Sequence, residues 1–223
     1  MRLPILFILF FISFLGYTQS KAYHFYNEEG RPISRKEFYK MRYNRDNFPL
    51  YLENDTARFG ILYHYETYGK LNDSSYRYLK KYLGELKEVE IDSSDYLVIN
   101  YLTTVPEEEQ KRHKTRTSWN IFDRNYTGKL KRMDDVSHFW ISSLEKQNLK
   151  YFYSDRIDWL TDKKGVIPEL FFPFEFTYGY FVIINPEGEY YYYIGEYAKQ
   201  FVWEKTEQMM YGEMSKKTNK IAP

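Results

Sequence analysis

Tyr96-Leu97-Val98-Ile99-Asn100-Tyr101-Leu102 is a near-continuous apolar run, bounded before it by Asp92-Ser93-Ser94-Asp95. A strand with one solvated face alternates apolar and polar residues, so a run without alternation predicts a strand covered on both faces. Such a strand lies inside its sheet, and the neighbouring sequence has to supply the covering helices.

Following the run, Thr104 and Glu107 have capping-box form around Pro106. Glu107 to Glu109 precede Lys111, Arg112 and His113 by four residues. That spacing predicts a solvent-facing helix over 105–116, with its basic cluster paired internally rather than gathered for an anion. Residues 118–134 read as an insertion with a turn at Tyr126-Thr127-Gly128. Val136, Phe139, Trp140, Ser143 and Leu144 recur at helical spacing and predict an amphipathic helix ending near Lys146. Residues 149–153 read as a strand and 157–160 as a helical turn. Two apolar runs, 179–185 and 189–194, flank Pro186-Glu187-Gly188, which predicts a hairpin. A helix over 198–210, with Phe201, Val202 and Met209 facing inward, closes this region, and 215–223 form a polar tail.

Before the run, residues 22–26 read as a strand and 28–32 as a turn. Ser34-Arg35-Lys36-Glu37 is a capping box opening a short helix through Met41. Residues 50–53 and 57–66 flank Asn54-Asp55-Thr56 and read as a hairpin. Asn72 or Asp73 caps a helix to about Leu86, with Tyr76, Leu79, Leu83 and Leu86 on one stripe. The first 20 residues carry one charge, Arg2, then an apolar stretch ending in Thr18-Gln19-Ser20. A positive start, a short apolar core and a small-x-small end predict a signal peptide cleaved after Ser20.

The 223 residues include 25 Tyr, 17 Phe and 4 Trp, and no cysteine. That absence excludes disulfides, thiolate metal sites, thiol redox chemistry and thiol-linked lipids. Beyond residue 20 the chain has 31 basic and 31 acidic residues, so net charge gives no case for nucleic acid or an anionic membrane as partner. No segment after the leader reaches spanning length, and a mature chain outside the membrane is expected.

From residue 95 onward the expected order is strand, helix, strand, helix, hairpin, helix. With YGYFVIINPEGEYYYYIGEY at 178–197, it resembles the C-terminal half of exported thioredoxin-like proteins. In that family a first core strand runs into a helix, and a later apolar strand turns through Asp- or Asn-x-x-Gly into its antiparallel neighbour. Here Val98 to Leu102 match the strand, and Asn185, Glu187 and Gly188 match the turn. The family's two cysteines would fall near Pro106 and Glu109 and its cis-proline near Tyr178; all three are missing. No carboxylate replaces a thiolate in disulfide exchange. What the resemblance leaves is a redox-inactive domain whose former substrate surface, Thr104, Val105, Pro106 and Tyr178, holds a protein or peptide in the cell envelope.

The fold class expected is therefore α/β (α+β): a signal peptide (1–20), a small N-terminal α+β region (21–92), a thioredoxin-like domain (93–214) and a tail (215–223). No cofactor is implied. The four histidines show no metal spacing, and no Gly-x-Ser-x-Gly or phosphate loop occurs. Two alternatives stay open. Tyr190 to Tyr193 alternate faces on a strand and, at a sheet edge, would present an aromatic strip to a sugar. An envelope hydrolase with a carboxylate pair leaves no local pattern in sequence.

Overall fold

The computed structural model describes residues 21–42, 44, 46–103, 116–172 and 179–212. The fold is mixed α+β, with two sheets and five helices among them. The chain divides into two compact units, 1–64 and 65–223.

The first unit holds β1 (Ala22–Tyr26), α1 (Arg35–Met41), β2 (Asn47–Glu53) and β3 (Ala57–His64), with strand order β1-β3-β2. The expected capping box is present: the Glu37 amide donates to Ser34 Oγ at 3.2 Å, and the Ser34 amide to the Glu37 carboxylate at 2.9 Å. The expected hairpin is β2–β3, turned by Asn54, whose Oδ1 accepts the Thr56 and Ala57 amides. Phe25, Phe38 and Leu62 form its small core.

The second unit carries β4 (Glu66–Lys70), α2 (Asp73–Lys87), β5 (Tyr96–Leu102), α3 (Asn125–Leu130), β6 (Val136–Ser142), β7 (Leu160–Thr161), α4 (Val166–Phe171), β8 (Tyr180–Ile184), β9 (Glu189–Ile194) and α5 (Lys199–Met210). The expectation of one N-terminal region over 21–92 does not match this division, because β4 and α2 belong with the larger unit. β4 does so by pairing antiparallel with β9.

The sheet order is β4-β9-β8-β5-β6-β7. β5 is interior and buried along its length except at Tyr96, as the apolar run required. β6 lies parallel on one side of it and β8 antiparallel on the other. Val98, Trp140, Phe181 and Tyr191 belong to a core with Tyr126 of α3 and Val202 of α5. On the opposite face Phe172, just after α4, stacks on Tyr180 at 3.8 Å and meets Tyr101 and Tyr192. The β8–β9 hairpin turns at Asn185, whose Oδ1 accepts the Glu187 and Glu189 amides, with Gly188 at φ 78°.

Several sequence expectations are corrected. Residues 136–142 form β6, not a helix: apolar side chains on both faces of a covered strand also satisfy the i, i+3, i+4 template. Asp135, just before this strand, takes φ 57°, and its carbonyl accepts the Tyr96 amide at 2.7 Å, opening the β5–β6 ladder. Residues 149–153 are not a strand; Lys146–Phe152 is 3-10 helical with a kink at Leu149 (φ -100°, ψ 19°), and Leu149 and Phe152 are buried. The helical turn expected at 157–160 is a bend leading into β7, and the turn at Tyr126 to Gly128 lies inside α3. The helix expected at 105–116 falls almost wholly outside the described residues. Among the described residues no helix is long and apolar enough to cross a membrane.

Candidate functional site

Thr104, Val105, Pro106 and Tyr178 lie outside the described residues, and their flanks define where the chain leaves the sheet. β5 ends at Leu102 and β8 begins at Tyr180, with Tyr101 and Tyr180 opposite each other in the ladder. Thr103 and Gly179 therefore emerge side by side at one rim. Gly179 has φ 124°, and a Cβ there would strike the Tyr101 carbonyl oxygen, so the approach of β8 to β5 requires glycine.

β6 and β7 end at the same rim. Ser142 Oγ donates to the Leu102 carbonyl at 3.1 Å and accepts the Leu144 amide at 3.0 Å. Asp162, 5% exposed, follows β7. Its Oδ1 accepts the Tyr82 hydroxyl at 2.6 Å and the Val166 amide at 3.0 Å, and its Oδ2 accepts the Ile167 amide at 2.9 Å. These bonds satisfy amides that the first turn of α4 leaves without helical partners. Burial and then the bond to Asp162 push the Tyr82 phenol up. The Ser142, Tyr82 and Asp162 side chains are thus engaged in holding the rim.

A polar network under the sheet escaped the sequence reading. Asn100 is fully buried on β5, and its Oδ1 accepts the Tyr126 hydroxyl and faces His138 Nε2, each at 2.7 Å. Its Nδ2 donates to the Tyr197 hydroxyl at 2.7 Å, which donates to the Tyr180 carbonyl at 3.1 Å. This amide orientation makes Nε2 the protonated nitrogen of His138. Burial first, then the charges of Lys87 and Lys131, lower the His138 pKa to about 3. A polar residue inside an apolar run was the one available signal for this network.

The other candidates find structural roles. On β6 as a strand, Ser142 is four residues and so about 13 Å from His138, too far for a nucleophile and its base. Among the described residues no three His, Asp or Glu side chains gather as metal ligands. β9 is not an edge strand, since β4 covers it, and Tyr191 and Tyr192 are buried. Tyr190 packs on Phe171 and Tyr193 on Phe201, so the run offers no open aromatic strip. No family model, curated protein or solved structure matches the chain.

Proposed function

We propose that the protein is exported, that its larger unit is a redox-inactive thioredoxin-like domain, and that this domain binds a protein or peptide in the cell envelope. One observation carries the reading: β5 is interior, with the next core strand parallel beside it and the terminal hairpin antiparallel on its other side. That is the arrangement the resemblance implies, although its second strand is 136–142 rather than 149–153. The chain has no cysteine, so the rim keeps a surface without a thiolate.

The export arm is tested by expressing the full chain and sequencing the mature product, expected to begin at Lys21. The binding arm is tested by titrating 15N-labelled protein with unfolded polypeptide segments. Amide shifts should concentrate at Thr103, Ser143 and Gly179. Saturable binding that leaves those three unmoved would refute the assignment of the surface.

A further inference from the structure

The outer edge of β6 is only partly used. β5 pairs with it from Val136 to Ser142, whereas β7 pairs only with Ile141 and Ser142. Beside the remaining stretch lies a cleft of about 540 Å³, lined by every residue from 136 to 140 and, across from them, by the segment leading into β7. Consecutive strand residues point to opposite faces, so a cleft touching all five runs along the strand's edge rather than over one face.

The ladder fixes what the edge presents. The Ser142 carbonyl accepts the Asp162 amide at 2.9 Å on the β7 side, so even-numbered positions of β6 aim their backbone groups outward. The His138 carbonyl obeys this by accepting Lys87 Nζ at 2.9 Å. The His138 and Trp140 amides aim the same way, into a stretch with no strand opposite.

The charge on the cleft is one-sided. Lys87, Lys131 and Arg156 line it, against Asp158. Arg156 is already committed, donating to the Phe122 carbonyl at 2.7 Å with its guanidinium 4.2 Å from the Tyr153 ring. Lys87 and Lys131 have no carboxylate at ion-pair distance among the described residues. Burial and the neighbouring Lys131 charge lower the Lys87 pKa, a cost that an arriving anion relieves.

We propose that this cleft binds a short, extended, acidic peptide segment as an added strand on β6, its main chain pairing with the His138 and Trp140 amides and its carboxylates meeting Lys87 and Lys131. The open edge spans five residues, about 16 Å, which sets the length of the segment. The site is distinct from the rim at Thr103 and Gly179, because it lies along the N-terminal half of β6, and it does not depend on the thioredoxin-like reading.

The test titrates 15N-labelled protein with acetyl-Glu-Val-Glu-Val-Glu-amide, with the same peptide carrying Lys for Glu, and with citrate. The acidic peptide should shift the His138 and Trp140 amides and slow their hydrogen exchange, with the basic peptide silent. Lys131→Glu and, separately, Lys87→Gln should each weaken binding about tenfold, equal to about 1.4 kcal/mol, with the thermal midpoint unchanged in Lys131→Glu. Three outcomes overturn the proposal: no binding at millimolar peptide, shifts confined to Thr103, Ser143 and Gly179, or citrate reproducing the same shifts at equal affinity. The second would favour the rim and the third a small-anion site.

Discussion

Asn100 is the residue on which the interior of the larger unit turns, because three partners depend on its one amide. Asn100→Leu leaves the His138 N–H and the Tyr126 hydroxyl without their acceptor inside the core, while the Tyr197 hydroxyl keeps the Tyr180 carbonyl. At about 1–3 kcal/mol for each buried polar group left unpaired, the expected loss is about 2 kcal/mol or more. Tyr126→Phe removes one of two donors from the same oxygen and should cost about 1 kcal/mol. Urea unfolding of both variants checks this, and equal losses would mean that the four groups do not act as a unit. His138 supplies a pH prediction. With a folded pKa of about 3 against an ordinary value of 6.5, it stays neutral when folded and takes a proton only on unfolding. Its contribution is complete above pH 6.5 and falls as pH drops toward 3, at up to about 1.4 kcal/mol per pH unit. NMR of the ring nitrogens should therefore show a neutral imidazole protonated at Nε2 still present at pH 5, where an exposed histidine is charged.

At the scale of elements, the rim depends on how closely β8 can approach β5. Gly179 makes that approach with a positive φ and its α-carbon against the Tyr101 carbonyl. Gly179→Ala adds both a conformational penalty and a collision, and should destabilise the protein by about 2 kcal/mol or more. A thermal midpoint unchanged from the parent would mean that the backbone relaxes freely there. Local chemistry explains which elements were readable beforehand. Ser34 with Glu37, Asn72, and Asn185 with Gly188 each place a side chain or a glycine where a cap or turn needs one. Residues 136–142 were misread because a strand buried on both faces and an amphipathic helix present the same spacing over seven residues. The strand expected at 149–153 rested on Tyr151, Phe152 and Tyr153, aromatic residues that favour strands locally, whereas the fold places them in and after a kinked 3-10 segment.

Among the described residues, the two units carry apolar clusters of very different size. The first unit rests on Phe25, Phe38 and Leu62, whereas the second has an extensive cluster around Trp119, Trp140 and Phe181. Opening free energy follows buried apolar contact, so native-state hydrogen exchange should find the slowest amides in β5 and β8. Amides of β1, β2 and β3 should exchange through a less costly opening. Equal protection in the two units would mean that they unfold as one.

The sequence by itself determined the absence of thiol chemistry, the interior strand at 96–102, the terminal hairpin and the helix caps. Those features depend on residue type or on contacts a few positions apart. Only the tertiary structure decided that 136–142 is the strand beside β5, that Asn100, Tyr126, His138 and Tyr197 meet, and that two lysines without a carboxylate at ion-pair distance among the described residues lie beside the part of the β6 edge that β7 does not reach. Each of these joins residues tens of positions apart, and their proximity is set by strand register, which no local spacing encodes.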